Sequence, residues 1–147
     1  MAANRHLGRI VSMQALYEYF VRSNLKDPSL KLSDVIARAL SVHKENIEDK
    51  EFVEALISGS ANKQEELDAI WLPFASSWPL EQIPMVEVSI LRMAVHELKH
   101  PYKDVPPKVA IDEAVELAKQ FGGDNAAKFI NGVLGSVYKS LFESETK

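Results

Sequence analysis

His96 and His100 stand four residues apart in the run His-Glu-Leu-Lys-His. That spacing sets two imidazoles on one helix face and matches the outline of a zinc-hydrolase motif. Such a site also needs a third ligand and an open cleft. Here the helix is expected to end at His100, before Pro101, among apolar neighbours, so the pair is read as structural. Ser89 and Ser136 fall inside helical segments with no glycine elbow, which leaves no nucleophile for a Ser-His-Asp arrangement. The chain has no cysteine, which excludes disulfides and thiolate metal sites. No catalytic residue, metal or cofactor is expected.

Arg92 sits in the most apolar segment of the chain, where an unpaired guanidinium would be very costly. Glu97, Asp112, Glu113 or Glu116 is expected to pair with it. The run Gly122-Gly123-Asp124-Asn125 lacks the Lys-Ser/Thr and the preceding strand of a phosphate loop. It reads as a helix stop and restart. Gly122 or Gly123 is expected in the left-handed conformation, and Asp124 or Asn125 as the next cap. The restarted helix carries Lys128 and Phe129 in its first turns. A helix start with a cation can hold a phosphate, and an aromatic beside it can stack a base. Gly132 and Gly135 are expected where a neighbouring helix packs on bare backbone, with Asn131 as a buried hydrogen-bonding residue.

The elements that must position these residues all have helical spacing. Ile10, Met13, Tyr17, Phe20 and Val21 form the stripe of a first helix, with Asn4 as its cap. Pro28 ends that segment. Ser33 is expected to cap a short helix with Val35, Ile36, Ala39 and Leu40 inward. A third run starts after Glu48 and Asp49, and Gly59 is expected to interrupt it before Leu67, Ile70 and Trp71. The segment 72–84, rich in proline, reads as a packed connector containing a short turn of helix. Pro84 is expected as the first residue of a buried helix, Met85 to Lys99. Pro106 or Pro107 opens the next, with Ile111, Ala114, Val115, Ala118 and Phe121 inward. The last carries Ile130, Val133, Leu134, Val137 and Leu141. The predicted fold class is all-α, a compact bundle of about seven helices.

At 147 residues the chain is expected to be a single domain with a substantial core. No apolar run is long enough to span a bilayer, and no secretory signal is visible, so a cytoplasmic protein without membrane contact is expected. The net charge is −4, which does not advertise a nucleic-acid binder. Its distribution is uneven. Arg5, Arg9 and Arg22 face only Glu18 in the first 24 residues, while acids outnumber lysines between His43 and Ile70.

The run VPPKVAIDEAVELAKQFGGDNAAKFINGVLG resembles the NusB transcription antitermination family, with its V-A-I-N/D-E-A-V-E-L-A-K segment, its F-G and loop, and its K-F-x-N-G-V-L. VEVSILRMAVHEL resembles the family's preceding helix, and MQALYEYF its first. The resemblance spans the chain. It implies an all-helical fold of two subdomains, about 1–79 and 80–147, and no enzymatic activity. It implies binding of boxA single-stranded leader RNA as a heterodimer with NusE, a small-subunit ribosomal protein. The pair would help the transcription elongation complex read through terminators, notably in ribosomal RNA operons. Some members of the family self-associate, so a homodimer is a further expectation.

Carried over by position, the resemblance puts an RNA-binding N-terminal tract on Arg5, His6 and Arg9, and adds Gln14 and Tyr17. It puts a second RNA patch on Gly123, Asp124, Asn125, Lys128 and Phe129, and a NusE contact on Glu87. Helix 1 and the corner after Phe121 would then share one RNA face. One departure stands out: Leu7 and Gly8 interrupt a tract where the family commonly carries about four arginines. Fewer cations mean weaker and less salt-sensitive binding, since single-strand affinity falls with log salt at roughly −0.7 per neutralised phosphate. A helical protein-interaction module with little or no RNA affinity is the alternative. A further rival is the RNA-binding appendage of a ribosomal RNA cytosine methyltransferase, whose N-terminal domain resembles the NusB family; with no cysteine here, the catalytic part would have to be a separate subunit.

Overall fold

The computed structural model describes residues 5–75, 79–103 and 105–143. Asn4, the expected first cap, and Trp78 of the connector lie outside the described residues. Seven α-helices and no strand occur among those described. Contacts divide the chain into two compact units, Met1–Lys63 and Gln64–Lys147.

The first unit holds α1 (His6–Asn24), α2 (Leu32–Val42) and α3 (Lys50–Asn62), each packed on the other two. In α1 the buried side chains are Arg9, Ser12, Met13, Leu16 and Phe20, with Gly8, Val11 and Ala15 beside them. This stripe is rotated from the predicted one, so Tyr17 points outward and is 41% exposed. Gly8 explains how closely α1 approaches α3, since a Cβ there would lie 3.1 Å from Val53 Cγ2. Ser33 does not cap α2. The helix begins one residue earlier, at Leu32, and Lys31 is its cap without a side-chain hydrogen bond. Asp49 does cap α3, its Oδ1 accepting the Phe52 N–H at 3.1 Å.

Helix α3 runs straight through Gly59. The break comes at Lys63, whose N–H donates to the Gly59 carbonyl at 3.2 Å, and it coincides with the seam between units. Helix α4 (Gln64–Trp71) packs on α5 and α7 and belongs to the second unit. The connector forms short 3-10 turns at Leu72–Phe74 and Leu80–Gln82.

In the second unit α5 (Met85–Lys99) is central and packs on α4, α6 (Pro107–Phe121) and α7 (Ala126–Tyr138). Every side chain from Val88 to Leu98 is buried, as its nearly unbroken apolar sequence predicts. Pro84 is the cap of α5 rather than its first residue. Pro107 opens α6, where its missing N–H costs no helical hydrogen bond. The core side of α6 is Ala110, Ala114, Leu117 and Ala118, and Phe121 is exposed. Leu141 falls beyond α7, in a π-helical turn over Lys139–Glu143.

Arg92 is paired across helices with an acid outside the predicted set, Asp68. Its Nε and Nη2 donate to Asp68 Oδ1 and Oδ2 at 2.9 and 2.7 Å. Asp68 Oδ1 also accepts the Trp71 Nε1–H at 2.9 Å. Asp68 lies on α4 before the connector, and no local pattern places that helix against α5.

Candidate nucleic-acid interface

The residues singled out by sequence fall in both units. In the first, Arg5 and Arg9 lie one helical turn apart and continue the buried stripe of α1 toward its start. Both guanidiniums cover the same Phe52 ring, their Cζ atoms 5.5 and 5.0 Å from its centroid. A guanidinium over an aromatic face is attracted by the ring's quadrupole. Arg9 is only 3% exposed. Arg5 also donates from Nη2 to Asp49 Oδ2 at 3.4 Å. The tract is thus engaged inside its own unit. His6 is half-buried at the first position of α1, while Gln14 and Tyr17 are exposed. Helical spacing puts Gln14 and Tyr17 one turn apart, away from the stripe that holds Arg9.

In the second unit, α6 ends at Phe121, and Gly122 follows with φ −92° and ψ 178°. This is extended backbone, and no glycine among the described residues has positive φ. The expected left-handed glycine is therefore absent, and the need for glycine here is spatial. A Cβ on Gly122 would sit 2.4 Å from Ala126 Cβ and 2.8 Å from the Ala118 carbonyl oxygen. The start of α7 closes directly over the end of α6. Asn125 precedes α7 without a side-chain capping bond. Ala126 donates to the Gly123 carbonyl at 3.1 Å, and Phe129 to the Asn125 carbonyl at 3.0 Å.

This corner forms one wall of an open groove of about 780 Å³. Gly123, Asp124, Asn125, Lys128 and Phe129 line it, and so does Glu87 from the first turn of α5. All the predicted residues of this unit are brought together. Partial burial raises the Glu87 carboxyl above its ordinary pKa. Lys128 is exposed and Phe129 half-buried. The groove also takes Phe74, Ile83, Pro84 and Gly132, which sequence reasoning left out. Gly132 carried a usable signal, since it stands one turn beyond Phe129 on the same helix face. Phe74 was hidden in a connector read only as packing.

Gly132 and Gly135 do not admit a neighbouring helix. A Cβ on either would meet nothing within 4 Å. Asn131 is exposed rather than buried. His96 is buried, its ring 5.2 Å from that of His100. No group of three or more His, Cys, Asp or Glu side chains that could hold a metal occurs among the described residues. No described helix is long and apolar enough to cross a membrane.

Helices throughout, and an open groove carrying a cation and aromatics, place this chain in the all-helical class. It belongs to the NusB family, whose profile matches residues 6–139. It is 40% identical over 144 residues to the transcription antitermination protein NusB of Dehalococcoides mccartyi strain CBDB1, covering 98% of this chain and 96% of that protein. It is 37% identical to the protein of the same name from Halalkalibacterium halodurans strain C-125, over 93% of this chain and 95% of the other. The solved structure of T. maritima NusB superposes with a TM-score of 0.80 at 29% identity, over 95% of this chain and 93% of that one. A chain from the crystal structure of the antitermination factors NusB and NusE in complex with dsRNA shares the fold, with a TM-score of 0.75 at 24% identity, over 92% and 96% of the two chains.

Proposed function

We propose that this chain is a transcription antitermination factor that binds boxA-type single-stranded RNA together with NusE. In this reading it acts in the cytoplasm without catalysis. It joins the transcription elongation complex and promotes read-through, notably in ribosomal RNA operons. The observation that carries the proposal is the groove at the α6–α7 corner. It combines a helix N-terminus, an exposed lysine, a half-buried phenylalanine and bare backbone at Gly123 and Gly132. Lys128 and the helix start meet phosphate, and Phe129 stacks an unpaired base, worth roughly 1–3 kcal/mol. Gln14 and Tyr17 give α1 an exposed polar and aromatic face for a further RNA contact. Glu87 is assigned to NusE. The likeness to relatives named for antitermination supports the reading.

A fluorescence titration of a boxA-type RNA oligonucleotide, with and without NusE, tests it. Phe129→Ala should weaken RNA binding about tenfold. Lys128→Glu should also weaken binding and flatten its salt dependence. Unchanged affinity in both variants would remove the groove from the RNA site.

One observation favours a second reading, a helical protein-interaction module with little RNA affinity. Arg5 and Arg9, two of the few cations in the N-terminal segment, are turned onto Phe52. Under this reading the chain co-purifies with NusE, and RNA adds nothing to the complex.

A further inference from the structure

The two arginines over Phe52 are held in different ways. Arg9 is inside α1 and almost fully buried, so its position is fixed by the packing of α1 on α3. Arg5 precedes the helix as its cap residue, with φ −100° and ψ 4°. Its side chain is 11% exposed, and its contact with Asp49 is 3.4 Å. That is long for a charge-assisted hydrogen bond, which ordinarily closes to about 2.7–2.9 Å. Arg5 also shares its aromatic face with a second cation of the same sign. A phosphate offers the planar guanidinium of Arg5 two anionic oxygens to grip in a two-pronged way, where Asp49 presents it one at 3.4 Å.

Asp49 is independently anchored. Its Oδ1 caps α3 through the Phe52 N–H whether or not Oδ2 holds Arg5. Loss of the Arg5 contact at Oδ2 therefore leaves the Oδ1 cap of α3 in place. Exchange of Arg5 from Asp49 to phosphate has a low structural cost on the α3 side, and the carboxylate opposes it electrostatically.

We propose that Asp49 and Phe52 form a latch that holds Arg5 in the free protein, and that RNA binding moves Arg5 from Asp49 onto a phosphate. The inference rests on the RNA-binding reading above. Asp49 is then a positioning residue that sets RNA affinity from within the first unit. Arg9 is the fixed hinge of the latch and does not exchange.

The test uses the full chain and a boxA-type RNA oligonucleotide at low salt. Asp49→Asn keeps a side-chain oxygen to cap α3, because Asn caps as well as Asp, and removes the competing charge. It should bind RNA about three- to tenfold more tightly, with helix content unchanged by circular dichroism. Arg5→Gln should bind more weakly and reduce the slope against log salt by about 0.7, one phosphate contact. In an Arg5→Gln background, Asp49→Asn should give no gain. Glu51→Gln, which removes an exposed acid of the same helix end, should change affinity less than twofold. The latch is overturned if Asp49→Asn binds no more tightly than the native chain. An equal gain in the Arg5→Gln background, which mere charge removal would produce, overturns it as well. If the native chain and Lys128→Glu both fail to bind, the RNA reading falls, and the latch with it. If the native chain binds and only the Asp49 effect is missing, the latch alone falls.

Discussion

Arg92 on α5 and Asp68 on α4 form a two-pronged ion pair, with side chains 7% and 14% exposed. Asp68 serves two donors at once, because the Trp71 indole also points at its Oδ1. The pair crosses from the helix before the connector to the most buried helix in the chain. Breaking a buried pair by removing one partner leaves an uncompensated charge and costs about 3–5 kcal/mol. Arg92→Met should therefore lower unfolding free energy by about that amount in urea titration. Asp68→Asn should also destabilise, since it leaves the Arg92 guanidinium buried without its counter-charge. If Arg92→Met is as stable as the native chain, the pair has no structural weight.

Helix α5 was legible almost to the residue, because a segment apolar on all sides has one physical solution, burial all round. The stripe of α1 was misread because two arginines occupy core-facing positions. Counting only apolar residues shifted the periodicity onto Ile10 and Tyr17. Once Phe52 is known to lie beneath them, Arg5 and Arg9 extend the row of Met13, Leu16 and Phe20 naturally. The partner of Arg92 was illegible for a different reason. Every candidate was sought on the next helix or its own, and nothing in a local pattern places α4 against α5. The corner after Phe121 was found, but its backbone was misjudged. Helix-stopping glycines favour positive φ, whereas Gly122 is demanded by the approach of Ala126. That is a tertiary contact, invisible to propensity.

Glycines in the second unit should respond oppositely to alanine. Gly122→Ala forces a Cβ to within 2.4 Å of Ala126 Cβ and 2.8 Å of backbone oxygen. Overpacking of this kind costs about 1–3 kcal/mol. Gly132 and Gly135 lie inside α7 with open space where a Cβ would go. Alanine at either should stabilise by about 1 kcal/mol, the difference in helix propensity. Thermal unfolding of the three variants checks the opposite signs. A stabilised Gly122→Ala would mean that the corner relaxes freely.

The turn after α1 should give the stability curve an acid limb. Asp27 accepts from Ser29 Oγ at 2.7 Å and from the Ser29 N–H at 2.9 Å, and it pairs with Arg22 Nε at 2.8 Å. These bonds, those of Ser29 first, lower its carboxyl to about 2. A lowered folded pKa means that the unfolded chain binds the proton more readily. The stabilisation is complete above the ordinary carboxylate range and is lost as pH falls from about 4 through 2. Asp27→Asn should therefore differ from the native chain at neutral pH and converge with it near pH 2. Parallel curves over that interval would show that the turn contributes nothing through charge.

Glu87 should act with the opposite sign. Burial in the groove wall raises its carboxyl, so the folded chain holds the proton more tightly than the unfolded one. Its favourable contribution is present below the unfolded pKa and disappears as pH rises through the folded value. Ionisation of Glu87 therefore works against the fold, and Glu87→Gln should raise the midpoint of thermal unfolding above the folded pKa. The advantage should shrink toward pH 4 and vanish below it. In the proposed reading this carboxylate is the group that meets NusE. The same substitution should therefore weaken the complex with NusE while stabilising the free chain. Calorimetric titration with NusE beside thermal scans separates the two effects. A variant that is more stable and binds NusE undiminished would take Glu87 out of the partner surface.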